Sequence, residues 1–415
     1  MSSFRFLHAA DLHLDSPLRG LEADPSAPAE LIRGATRRAL GRMVDLALAE
    51  EVAFVLIAGD VYDGDWPDFG TGLFFAAQMR RLTNAAVPVF VIRGNHDAAN
   101  RMTRSLRMPG VEIFDHAAAH THRLQQIGVA IHGQSFADQA VPHDLSRAYP
   151  PPLAGWFNIG LLHTSAAGYA SHAPYAPCEP QRLAAHGYEY WALGHVRTRE
   201  VLSRDPWIVF PGNIQGRHIG ETGAKGVSVV DVDGDRVGSV EHHVLDDLRW
   251  AAIEVDLAGT ADEAAALARV QAALEAALHE AGSRHLAARV TLGGATAAHA
   301  ALAAEGLRDK VLNEAQALGG AHRLWLEAVR LRTSPARQAT PRERSDNLGR
   351  LLGEVEALAD TPPAGLLGDW PATLLDKIRD ELPPDHPLRE CAAGDVGAVL
   401  ARARALLEAA LGEDG

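Results

Sequence analysis

The chain has 415 residues, too many for one small domain, and at roughly 100 to 200 residues per domain it implies two or three. Its composition is that of an ordinary globular protein, and its apolar runs, such as 54–58 and 159–162, fall far short of the ~20 residues needed to cross a bilayer. The formal charge of −14 is uneven: residues 1–230 hold 20 Lys+Arg against 22 Asp+Glu (−2), and the other 185 hold 19 against 31 (−12), which excludes a general polyanion binder because phosphates are neutralised by Lys and Arg.

Residues 1–6 run straight into an apolar strand and lack the features of a signal peptide, so a cytoplasmic protein is expected. The two cysteines, Cys178 and Cys391, are far apart and outside any paired spacing, which supports neither a disulfide framework nor a thiolate metal site.

In chain order, "FRFLHAAD" (4–11), "AFVLIAGD" (53–60), "VPVFVIRGNHD" (87–97), "FNIGLLHT" (157–164) and "YEYWALGH" (188–195) read as buried strands that close in polar residues. Helical patterns over 29–51 and 72–82 separate the first three, which makes βαβ units and a layered α/β domain. Shorter strands are predicted at 111–114, 128–134 and 207–212, then a hairpin turning at Asp233-Gly234-Asp235, closing a first domain over 1–245. Residues 246–334 read as strand, helix, strand, helix, strand, a small α+β module. From 335 to 415 come Pro breaks and short amphipathic helices without a buried-strand pattern.

Each of the five buried strands ends in groups able to bind a metal or move a proton: Asp11 and His13; Asp60, with Asp63 nearby; Asn95, His96 and Asp97; His163; His195. In α/β sheets the carboxyl ends of strands line the ligand crevice, so these residues can converge. Carboxylate, amide and imidazole donors without thiolate suit Mn²⁺, Mg²⁺ or Fe²⁺, and the imidazoles would also accept Zn²⁺. Singly each element has a bland explanation: a Gly-Asp turn, or a hydrogen-bonded histidine after a strand. Five in order at five strand ends make structural coincidence improbable.

Asp11-x-His13, Gly59-Asp60-x-x-Asp63, Gly94-Asn95-His96-Asp97, Leu162-His163-Thr164 and Gly194-His195 resemble the motifs of the calcineurin-like metallophosphoesterases. "HAADLHLDSPLRGL", "LIAGDVYD", "VIRGNHD" and "YWALGHV" are most similar to SbcD-type DNA repair nucleases and, within them, the bacterial YhaO-type exonuclease branch. The motifs cover residues 4 to about 230. The resemblance implies a layered β-sandwich flanked by helices, a small α+β capping domain and a helical C-terminal region that binds a partner. It implies two divalent cations, Mn²⁺ foremost. Asp60 would bridge them, Asn95, His163 and His195 would complete one shell, and Asp11 and His13 would hold the other. A metal-bound hydroxide would attack a DNA phosphodiester, His96 would act as general acid, Asp97 would orient His96, and Asp63 would position a ligand. DNA, an SMC-like ATPase of the SbcC or YhaN type and a second copy of the chain are the partners it implies, with no membrane association.

One position departs from the pattern. Two residues after His195 the family has another histidine on the ion of Asp11 and His13, and here stands Arg197, which stays protonated. Water or His218 could fill the place, the guanidinium could meet a phosphate oxygen, or one ion could bind weakly or not at all. The loop "PGNIQGRHIGETG" (211–223) reads equally as a phosphate or DNA contact through Asn213, Arg217 and His218 or as a surface turn. Two other functions fit the same residues: a phosphatase or cyclic-nucleotide phosphodiesterase, and a catalytically weak scaffold that binds DNA ends.

Overall fold

A computed structural model describes residues 3–20, 29–63, 69–98, 108–166, 176–318, 323–336 and 402. The expected helical region 335–415 lies almost wholly outside the described residues, as does Cys391.

The amino-terminal part is a sandwich of two mixed six-stranded sheets. The first has the order β12-β11-β1-β2-β3-β4, built from β1 (Phe4–Ala9), β2 (Phe54–Ala58), β3 (Val89–Ile92), β4 (Val111–Ile113), β11 (Gly226–Asp233) and β12 (Arg236–Val244). The second has the order β5-β6-β7-β8-β10-β9, from β5 (His120–Leu124), β6 (Val129–Gly133), β7 (Phe157–His163), β8 (Tyr190–Gly194), β9 (Glu200–Arg204) and β10 (Trp207–Phe210). β1 to β4 run parallel, as do β6, β7, β8 and β10, whereas the hairpin partner β11 is antiparallel to β1.

Alternation along the strands builds the layers, because successive side chains face opposite sides of a sheet. Leu7, Ala9, Val55, Ile57, Val89 and Val91 pack with Leu40, Val44, Phe75 and Met79 of helices α1 (Ala29–Ala49) and α2 (Phe69–Asn84). The intervening Phe6, Phe54, Leu56 and Phe90 meet Ile131, Phe157, Ile159 and Tyr190 of the second sheet. Phe6 and Phe54 stack at 5.0 Å between centroids, and Tyr190 meets Phe6 edge-on at 5.2 Å. Every residue of β2 is buried, which explains why it reads as a continuous apolar run rather than an alternating one. The outer face of the second sheet carries Leu162, Trp191, Leu193 and Phe210 against Leu183 of the short helix α4 (Pro180–Ala185).

β3 leads into a single helical turn, α3 (Asn95–Ala98). Farther along are β13 (Leu248–Asp256), α5 (Glu263–Ala281), β14 (His285–Thr296), α6 (His299–Ala303), α7 (Leu307–Ala317) and β15 (Leu324–Pro335), whose strands form a three-stranded sheet in the order β13-β14-β15. The described residues divide into two compact units, one of those within 3–251, 280–288 and 323–327 and the other of those within 252–279, 289–318 and 328–336. The edge strands β5 and β9 were absent from the expected elements; both are only partly buried, so neither carries a strong apolar pattern.

Candidate metal centre

The ends of β1, β2 and β3 from one sheet and β7 and β8 from the other meet at one point. His163 Nδ1 is 2.9 Å from the Ala58 carbonyl, the His195 N–H donates to Asp11 Oδ2 (2.8 Å), and the Asp11 N–H donates to the Gly59 carbonyl (3.0 Å). Asp11, His13, Asp60 and His195 all have positive φ, at 52°, 42°, 52° and 103°. Such conformations cost non-glycine residues about 1–3 kcal/mol each and persist where the surroundings impose them, typically at functional sites. The two sheet layers packed beneath provide that constraint. The glycines preceding the ligands are required sterically: a Cβ on Gly94 would come within 2.2 Å of Asp60 Oδ1, and one on Gly194 within 1.9 Å of the Ala58 carbonyl oxygen.

Asp60 has its oxygens divided. Oδ1 accepts the His96 N–H (3.0 Å), while Oδ2 lies 3.5 Å from His163 Nε2 and 3.9 Å from His13 Nε2. Asp11 is divided in the same way: Oδ2 accepts from the His195 N–H, and Oδ1 lies 3.7 Å from His13 Nε2 without a hydrogen bond. The Ala58 contact leaves His163 Nε2 facing inward, 3.0 Å from Asn95 Oδ1, and His195 Nδ1 is 3.3 Å from that same oxygen. Two groups of side chains have ligand atoms close enough to share a cation, Asp60–His163–His195 and His13–Asp60–His96.

Electrostatics favour a cation here. Asp60 is pushed well above the usual carboxylate range, by burial first and then by Asp11 and Asp97. Asp11 is held below that range against the effect of burial, by its interaction with His13 and the proximity of His163. Burial lowers His13 to about 4, so its imidazole is neutral at physiological pH and free to donate a lone pair. Asp11 Oδ1 and both ring nitrogens of His13 are buried without a hydrogen-bond partner. Orphaned polar groups of this kind cost about 1–3 kcal/mol each unless something pairs with them. Buried carboxylates, neutral imidazoles and orphaned donor atoms together fit divalent cations.

Three expectations need correction. The partner of the His96 ring is Asp63, not Asp97: Nδ1 lies 2.9 Å from Asp63 Oδ1, and this bond raises the His96 pKa. Asp97 is instead buried among backbone donors, accepting from the N–H groups of Val61 (3.1 Å), Tyr62 (2.9 Å) and Gly94 (3.1 Å), and so ties the β2 and β3 loops together. Asn213 and Arg217 do not form an open rim. Both are buried, with Asn213 Nδ2 donating to Glu221 Oε2 (2.9 Å) and Arg217 Nη2 to Glu221 Oε1 (3.1 Å). His218 does not fill the position facing Asp11 and His13. Its Nδ1 accepts the Gly220 N–H, and its Nε2 lies 3.4 Å from Glu221 Oε1.

Arg197 also turns to Glu221, with Nε 3.3 Å from Oε1, and its carbonyl accepts from Lys225 Nζ (2.9 Å). Its charge is felt at His163, whose pKa is lowered by burial and further by Arg197. Glu221 was not singled out from the sequence, although its spacing of four from Arg217 in "RHIGE" is a usable signal. Ser16 was missed as well; its hydroxyl donates to Asp63 Oδ2 (2.6 Å).

Residues 4–199 match the calcineurin-like phosphoesterase family, and residues 250–334 match the middle domain of metallophosphoesterase YhaO. Over 262 residues the chain is 35% identical to the uncharacterized metallophosphoesterase YhaO of Bacillus subtilis, covering 62% of this chain and 64% of that protein. It is 25% identical to the DNA double-strand break repair protein Mre11 of Sulfurisphaera tokodaii, over 57% of this chain and 61% of that one. Against the protein of the same description from Haloferax volcanii it is 25% identical, over 53% and 49%. The chain thus spans less than two thirds of the length of these relatives. The site built at the strand ends of the two-sheet sandwich thus lies in a calcineurin-like phosphoesterase domain, residues 4–199, and residues 250–334 form a YhaO-type middle domain.

Proposed function

We propose that this chain is a divalent-metal-dependent DNA nuclease, with exonuclease character, that hydrolyses phosphodiester bonds. The observation that carries the reading is Asp60 Oδ2, a single carboxylate oxygen facing His163 on one side and His13 on the other. The similarity to proteins described as DNA double-strand break repair proteins supports DNA as the substrate. Asp60, Asn95, His163 and His195 would hold one cation, and Asp60, Asp11 and His13 the other. Bound there, two cations, Mn²⁺ by preference, would polarise a phosphate oxygen and make water nucleophilic at neutral pH.

His96 would protonate the leaving oxygen. Its ring is partly exposed, Nδ1 is engaged by Asp63, and Nε2 remains to hold the transferable proton. Asp63 raises the His96 pKa and so keeps that proton in place near neutral pH. Arg197, with Nε at ion-pair distance from Glu221, would meet a phosphate oxygen with the rest of its fork. His218, partly exposed beside Glu221, is the member of the 211–223 loop that would reach substrate.

A second reading of His96 follows from its grouping with His13 and Asp60, which makes it a ligand on the side where the family histidine is replaced. The two roles separate experimentally. On end-labelled DNA with Mn²⁺, His96→Ala should lose about 10²–10⁴ in cleavage rate if His96 is the acid, with Mn²⁺ affinity kept. Loss of one bound ion in His96→Ala would make it a ligand instead. Cleavage of a chromogenic monoester but of no DNA by the unaltered chain would replace the nuclease with a phosphatase.

The acidic balance of residues 231–415 leaves little basic surface there for DNA. An SMC-like ATPase of the SbcC or YhaN type would supply it, and a second copy of the chain would bring two sites to one DNA end. Among the described residues no helix is long and apolar enough to cross a membrane.

A further inference from the structure

Glu221 stands at the centre of several cationic groups and is only 4% exposed. Its Oε1 lies 3.3 Å from Arg197 Nε, 3.1 Å from Arg217 Nη2 and 3.4 Å from His218 Nε2. Its Oε2 accepts from Asn213 Nδ2 and from the Arg217 N–H, both at 2.9 Å. Arg217 has a second carboxylate in Asp63, with Nη1 3.3 Å from Oδ2, whereas Glu221 is the one acid that the described residues set within ion-pair reach of Arg197. Lys225, also buried, adds another positive charge against the Arg197 backbone. Arg197 follows His195 by two residues, so its fixed charge is placed beside a centre that has to attract cations. A guanidinium cannot shed its proton to relieve that repulsion.

We propose that Glu221 is a positioning residue that compensates Arg197, its carboxylate lying at ion-pair distance from the guanidinium and balancing its charge so that the centre keeps its affinity for divalent cations. The inference rests on the proposed metal centre. It makes Arg197 and Glu221 one functional pair: the arginine at the place of a ligand is tolerated because a buried carboxylate answers it. Coulombic effects of a buried charge are large enough for this to be measurable, since an uncompensated unit charge near a partly buried ion is weakly screened.

The test is a double-mutant cycle read by calorimetric titration with Mn²⁺ on the full chain, using the unaltered protein, Glu221→Gln, Arg197→His and the double variant. Glu221→Gln should weaken Mn²⁺ binding about tenfold or more, whereas adding the same change to Arg197→His should weaken it less than about threefold. Equal losses in the two backgrounds, or no loss in either, would overturn the inference. Thermal melts without metal show whether Glu221→Gln folds. If it does not, Arg197→Gln serves alone: it leaves Glu221 with Arg217 and His218 but without the charge of Arg197, and should tighten Mn²⁺ binding severalfold, and unchanged or weaker binding would count against compensation. Absence of Mn²⁺ binding in every protein would sink the metal centre itself along with the pair, whereas metal binding with equal losses would remove only the role of Glu221.

Discussion

The two halves of the metal centre differ in how their donors are held. Around His163 each donor atom has a polar neighbour: Nδ1 lies 2.9 Å from the Ala58 carbonyl, and Asn95 Oδ1 lies 3.0 Å from Nε2 and 3.3 Å from His195 Nδ1. Around His13, both ring nitrogens and Asp11 Oδ1 are buried without hydrogen bonds. In the first half the lone pair of His163 Nε2 and the oxygen of Asn95 face each other; the second carries buried atoms with no hydrogen-bond partner, a desolvation cost that a cation would remove. Yet it is beside this second half that Arg197 stands, where the resemblance implies a further histidine ligand. Need for a cation and repulsion of it therefore meet in the same half, and the compensation by Glu221 becomes decisive there.

The widest consequence belongs to the residue common to both halves. Asp60→Asn should remove both Mn²⁺ binding steps and DNA cleavage together, read by calorimetry and a nuclease assay; retention of one step would show that Asp60 serves one half only. Next comes the acid. If protonated His96 is the active form, the rate falls as pH rises through its pKa, which Asp63 has raised above the ordinary imidazole value. Asp63→Asn should therefore move the basic limb of the rate profile to lower pH and reduce the rate at pH 8 by about 10–100-fold, the usual range for a residue that orients a working side chain. An unmoved limb would separate Asp63 from the acid. A smaller effect distinguishes the halves directly. Mn²⁺ at about 100 times its Kd should stabilise the fold by about 2.7 kcal/mol, and a melt of His163→Ala should lose most of that gain while one of His13→Ala keeps more of it, because the tighter half contributes more. The reverse order would mean that the half around His13 binds the cation more tightly.

Much of this centre is legible in the sequence for a physical reason. Each ligand follows a buried parallel strand whose apolar run is unmistakable, and parallel strands deliver their carboxyl ends to a common edge. Asp11, Asp60, Asn95, His163 and His195 could be assembled from that alone. What stays hidden depends on side-chain direction after the strand ends. Asp97 adjoins His96 in the chain, but the single turn of α3 points its carboxylate back at the N–H groups of Val61, Tyr62 and Gly94. Asp63, more than thirty residues earlier, takes the ring instead. Likewise Asn213 and Arg217 read as polar loop residues suited to solvent, and only the fold reveals that Glu221 draws them inward. The edge strands β5 and β9 were missed because half-exposed edge strands need no apolar alternation.

The claim of two unequal halves is tested most directly by a crystal structure with Mn²⁺, using anomalous scattering to measure occupancy at each position. The account predicts a strong peak among Asp60, Asn95, His163 and His195 and a weaker one between Asp11, His13 and Asp60, the weaker rising in Arg197→His. Equal peaks in the unaltered chain, unchanged by that substitution, would contradict it.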